Sequence, residues 1–132
     1  MSKKPSDASY DRISRSILAA FALVIVVLAV LAVGYFSRHT FSARRWKENE
    51  DVRKYMVSDL LKKHTLVGMN EHDVVELLGP ETREQATFKG DHTYYSPDST
   101  IVYYMGHDLL EGEWLILPLK DGVVDIVAFG LT

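Results

Sequence analysis

The sequence predicts an α+β protein, with one N-terminal transmembrane helix followed by a small domain of two helices and a three- or four-stranded antiparallel sheet. Three observations carry that prediction. Residues 16 to 37 contain no charged side chain. Residues 66 to 80 hold a full set of helix start and stop signals. Three later segments, rich in β-branched and aromatic residues, are separated by turn formers.

The apolar segment comes first. From Ile17 to Phe36 it runs for about 20 residues, and at about 1.5 Å per residue it spans the roughly 30 Å of a bilayer's hydrocarbon core. A helix apolar on every side cannot be buried by a domain as small as the remainder of this chain. Tyr35 and Phe36 fall where an interfacial aromatic belt sits. A cleaved signal peptide is the rival reading, since basic residues precede the run and Ala32 and Gly34 could mark a cleavage site. Signal cores span roughly 7 to 15 residues, so an uncleaved anchor at residues 16–37 is expected, with residues 1–15 as a short flexible tail. Lys3, Lys4, Arg12 and Arg15 on one side balance Arg38, Arg44, Arg45 and Lys47 on the other, so charge does not orient the span.

Residues 38–49 read as a basic juxtamembrane linker, either with Phe41 and Trp46 among lipid headgroups or simply solvated, the two readings standing equal. From about Glu50 to His64, Val52, Met56, Val57, Leu60 and Leu61 share about half of a helical wheel, which predicts an amphipathic helix. A second helix follows, and its signals are local. Asn70 is its N-cap, Asp73 reaches back as a variant capping box, and Met69 staples against Val74. Gly79 supplies the left-handed position that ends the helix, and Pro80 prevents continuation. Two turns of helix are marginal alone, so Val74, Leu77 and Leu78 need a surface to pack on.

That surface is a meander of Thr100–Met105, Glu113–Leu119 and Val123–Phe129. Lys120-Asp121-Gly122 reads as a tight hairpin, Gly106 to Gly112 as a longer loop, and residues 84–96 as a further short hairpin around Gly90-Asp91, ended by Pro97. Pro118 cannot donate to a ladder, so the middle strand is expected to bulge or end there. Tyr103-Tyr104 and Trp114-Leu115 are apolar on both faces, so both sides of the sheet need cover.

Composition excludes several functions. The chain has 18 acidic and 15 basic residues, a net charge of −3, and no clustered basic face for nucleic acid. It has no cysteine, which removes disulfides, thiol catalysis and lipid attachment through sulfur. Its histidines, His39, His64, His72, His92 and His107, include no pair at helical zinc spacing, and no nucleophile elbow or phosphate loop is present. A mixed cluster of Asp91, His92, His107 and Asp108 is the one imaginable metal arrangement. No catalytic residue, cofactor or metal is assigned, and the chain reads as a non-enzyme. Tyr103, Tyr104, His107 and Trp114 are the candidate partner-binding residues, with ordinary core packing as the competing role for the aromatics.

The run Leu66, Gly68-Met69-Asn70, Val74 and Leu78-Gly79-Pro80 resembles the signature of the SmpA/OmlA (BamE-like) domain family, as does the order of elements over residues 50–132. The resemblance implies two helices before a three-stranded meander, as in β-lactamase-inhibitor-protein-like folds. Lacking a cysteine for lipidation, the chain is similar to a transmembrane-anchored relative of that family. The implied function is a non-catalytic protein-binding or scaffold module of the cell envelope, serving membrane-protein or envelope assembly. An inhibitor or sensor domain that binds an envelope enzyme or receptor is the alternative. The expected partners are the lipid bilayer through residues 16–37, an envelope protein, and a second copy of the chain, with the N-terminus cytoplasmic and residues 38–132 outside.

Overall fold

The computed structural model describes residues 7–82 and 98–131. The hairpin expected around Gly90-Asp91, with His92 and Pro97, lies outside them. The chain divides into two compact units, Met1–Ser37 and Arg38–Thr132.

The first unit is helical. Helix α1 runs Asp7–His39, so it starts inside the expected tail. From Ser9 to His39 it is long and apolar enough to cross a membrane, and none of its most apolar stretch is buried. Such a helix is not the core helix of a soluble domain. Near its start the Ser16 hydroxyl donates to the Arg12 carbonyl at 2.9 Å, which satisfies a polar side chain within the helix itself.

The second unit is α+β and starts earlier than the sequence indicates. The stretch expected to be a linker folds into α2, Ala43–Glu48, capped by the Ser42 side chain. Trp46 on α2 is completely buried at the centre of the main core, which corrects its expected place among headgroups or in solvent. Arg44 and Lys47 lie on the exposed side of the same short helix, so its basic composition disguises an inward aromatic. A 3₁₀ turn, Glu50–Val52, leads into α3, Arg53–Lys63, and α4 follows at Glu71–Leu78. Met56 and Leu60 of α3 and Val74 and Leu78 of α4 are fully buried, and Val57 and Leu61 pack partly against them.

Four strands form the sheet: β1 (Thr100–Asp108), β2 (Glu111–Lys120), β3 (Val123–Val124) and β4 (Ala128–Leu131). β2 is central. It pairs antiparallel with β1 on one side, and with both β3 and β4 on the other. The expected third strand is thus two strands with a break at 125–127, and Pro118 explains the break. The Asp125 N–H donates to the Pro118 carbonyl at 2.9 Å, but proline has no N–H to return, so the ladder with β3 stops there. β2 itself continues through Pro118 to Lys120, because the missing donor faces that gap rather than β1.

The main core lies between the helices and one sheet face, where Ile101, Tyr103, Met105, Leu115 and Leu117 meet Trp46, Met56, Leu60, Val74 and Leu78. Arg53 is buried within it. Its guanidinium donates to the carbonyls of Trp46 at 2.7 Å and Tyr104 at 2.9 Å, and lies over the Trp46 and Tyr103 rings. Burial pushes its pKa below the ordinary arginine value, while Glu50 opposes that shift. The two carbonyls and two rings offset the cost of a buried cation and tie α2, α3 and β1 together.

The Asn70 cap sits as the motif predicts, whereas Gly79 keeps the positive φ but not the left-handed helical ψ expected of it. Asn70 accepts from the Asp73 N–H at 2.8 Å and donates to the Asp73 carboxylate at 3.1 Å. Gly79 ends α4 at φ 82, ψ −172, a region close to glycine-only. The motif has a second role that local signals do not reveal. Gly68 donates to the Val124 carbonyl and Met69 accepts from the Val124 N–H, each at 2.8 Å, so residues 68–70 close the outer edge of β3.

Candidate interaction surface

Alternation along β1 sorts the candidate contact residues onto opposite faces. Tyr103 points into the main core and is completely buried. Its hydroxyl donates to the Gly79 carbonyl at 2.7 Å, and its ring meets Trp46 edge-on at 6.2 Å. Burial first, and the charge of Glu81 second, push its phenol well above the ordinary value. Tyr103 therefore serves the core rather than an exposed contact surface.

Tyr104, His107 and Trp114 come together on the other face. Tyr104 is the cross-strand partner of Trp114, their rings 5.0 Å apart, and the His107 ring lies 5.4 Å from Tyr104. A β-bulge between Tyr104 and Gly106 makes this possible by carrying His107 onto the same face as Tyr104. Trp114 is buried with Val102 and Ile116 in a second, smaller cluster, Tyr104 is half-buried, and His107 is exposed. Only His107 and the rim of Tyr104 are open to a partner.

The bulge also replaces the expected Gly106–Gly112 loop with a two-residue turn, Leu109-Leu110. Gly106 is no loop residue: at φ 105 it lets the chain approach so closely that a Cβ would stand 3.0 Å from the Asp51 Cα. From there β1 extends to Asp108 and pairs with Glu111.

The sheet edges differ in their cover. Beside β1, Thr82 donates to the Val102 carbonyl at 2.7 Å and its hydroxyl accepts from the Tyr104 N–H at 2.9 Å, so residues 81–82 occupy that edge. Residues 68–70 occupy the edge of β3. β4, among the described residues, pairs only with β2 and leaves its outer edge open. Phe129 and Leu131, alternate residues on one face of β4, are 57% and 52% exposed. An open edge with apolar side chains at period two is the geometry that accepts an added strand. Sequence reading placed Phe129 at a strand end and omitted Leu131, because alternation shows which residues share a face but not which strand lies outermost.

One titratable group stands outside this surface. Ligating atoms of His72, Asp73 and Glu76 on α4 lie within 4.8 Å of one another, all on exposed side chains. Asp73 there already serves the cap, and no metal is assigned. Of the other imagined cluster, His107 and Asp108 are exposed at the hairpin, whereas Asp91 and His92 lie outside the described residues.

No family model, curated protein or solved structure matches this chain.

Proposed function

We propose that this chain is a single-pass, membrane-anchored, non-catalytic binding module of the cell envelope, a transmembrane-anchored relative of the SmpA/OmlA domain, whose folded unit lies outside the cytoplasmic membrane and holds a protein partner. The open β4 edge carries this reading. Main-chain groups along the edge would supply affinity, and Phe129 and Leu131 would supply side-chain recognition. The anchoring helix supports it further, since tethering to a surface raises the effective concentration of a weakly binding module near membrane partners.

Two measurements test it together. Single cysteines replace Ser2 and Ser99 in the otherwise cysteine-free chain and are challenged in intact cells with a membrane-impermeant thiol reagent, while the mass of the mature protein is recorded. Labelling at Ser99→Cys with a full-length mass is expected; labelling at Ser2→Cys alone, or loss of the apolar segment, overturns the topology. A photo-crosslinker at Phe129 is expected to give a discrete adduct that a crosslinker at Asp121 does not. That adduct should disappear in a Leu131→Lys variant of unchanged melting temperature, and an adduct indifferent to Leu131→Lys overturns the edge as the binding site.

A further inference from the structure

We propose that the Leu109-Leu110 hairpin tip is a second membrane contact, inserting its two side chains into the lipid surface. The inference rests on the membrane-anchored reading above and assigns lipid, not protein, to this part of the folded unit.

The tip is anomalous in two independent ways. Leu109 and Leu110 are 99% and 92% exposed, the most exposed large apolar side chains among the described residues. Leu109 also holds φ 44, where a side chain is disfavoured and a two-residue hairpin ordinarily places glycine, asparagine or aspartate. Neither solubility nor turn geometry accounts for two leucines here. An apolar medium around the tip would.

The path of the chain says which medium. Phe41 donates its N–H to Asp59 at 2.6 Å, the His39 ring lies 5.7 Å from Tyr55, and the Arg38 guanidinium lies 4.2 Å above the Tyr55 ring. Between Phe41 and Arg38, then, the chain moves one helical turn toward the amino end of α3 as it leads back to the apolar segment. That segment ends at Ser37, so connectivity alone holds Arg38 at the membrane surface. The hairpin leaves the folded unit at this same end. Lys54 sits 5.3 Å from the Tyr55 ring and donates to the His107 carbonyl, and Gly106 packs on the backbone of Asp51.

The charges around the tip set the kind of contact. Arg38 and Lys54 are cations at this end, but the exposed Asp108 and Glu111 flank the leucines directly. Insertion is therefore apolar and shallow, and it persists at high salt, unlike adsorption through basic residues.

The test uses the full chain in vesicles of phosphatidylethanolamine and phosphatidylglycerol, with an environment-sensitive fluorophore on a single cysteine at Ile25, Leu110, Glu111 or Asp121. Brominated acyl chains are expected to quench the labels at Ile25, Leu110 and Glu111 but not at Asp121, and high salt should leave that pattern unchanged. Quenching at Glu111 should be lost in Leu109→Gly with Leu110→Ser, a better hairpin that keeps the fold. If Ile25 is quenched while Leu110 and Glu111 match Asp121, the anchor stands and the second contact falls. If Ile25 is unquenched as well, the anchored reading fails and this inference with it. Shielding of Leu110 that grows with the protein-to-lipid ratio without lipid quenching would overturn lipid in favour of a second copy.

Discussion

The two hairpins at the ends of β2 have the same length and opposite chemistry. At one end Asp121 and Gly122 take φ 54 and 80, a double positive turn filled by residues suited to it. At the other, Leu109 holds φ 44, unfavourable for a side chain, and Leu110 follows it, next to a bulge held by Gly106 against Asp51. The first turn is explained by the strands it joins. Nothing among the described residues covers the second, and the lipid contact proposed above would account for it.

The largest expected effect falls at the leucine end, where folding depends on the bulge rather than the turn. Gly106→Ala combines an unfavourable φ with a Cβ 3.0 Å from the Asp51 backbone, and a loss of about 2–4 kcal/mol is expected in denaturant unfolding of the detergent-solubilised chain. A loss no greater than that of Gly122→Ala would mean the bulge does not hold this end. Tyr103→Phe comes next, at about 1–2 kcal/mol near neutral pH, because the buried Gly79 carbonyl loses its donor. It should leave lipid quenching at the tip unchanged, since Tyr103 belongs to the core common to both ends.

The same phenol makes stability depend on alkaline pH. Its folded pKa is raised, so the stability it contributes is full below the unfolded value of about 10 and is lost as pH climbs above it. The fall in unfolding midpoint between neutral and strongly alkaline buffer should be smaller in Tyr103→Phe than in the parent chain. An equal fall would place the alkaline sensitivity elsewhere.

Gly122→Ala should cost about 1 kcal/mol, a backbone effect alone, because nothing lies near the added Cβ. Smallest is the leucine turn itself. Leu109→Gly with Leu110→Ser should raise stability in detergent by about 0.5 kcal/mol, relieving the Leu109 backbone. A loss of stability instead would show that the leucines pack within the fold, and the contrast between the two hairpins would collapse.

Much of this was legible in local signals. The apolar segment, the Asn70–Gly79 helix, the Asp121-Gly122 turn and the inward face of α3 follow from length, capping chemistry and periodicity, each of which acts within a few residues. The candidate surface was legible only in part. Tyr104, His107 and Trp114 could be picked out as aromatic or polar residues near a predicted loop, but Tyr103 beside them proved a core residue. Trp46, in a basic hexapeptide, was misplaced because one buried side chain per short helix leaves no periodic trace.

The sequence by itself determined that one long apolar helix precedes a small α+β unit, because hydrophobicity and backbone capping are properties of contiguous residues. Tertiary structure alone decided which edge stays open among the described residues and where the hairpin tip emerges. Those outcomes depend on pairings between residues far apart in the chain: Val124 with Met69, Val102 with Thr82, and Gly106 against Asp51. Each closes one edge or redirects one strand, and among the described residues they leave the outer edge of β4 and the two leucines uncovered.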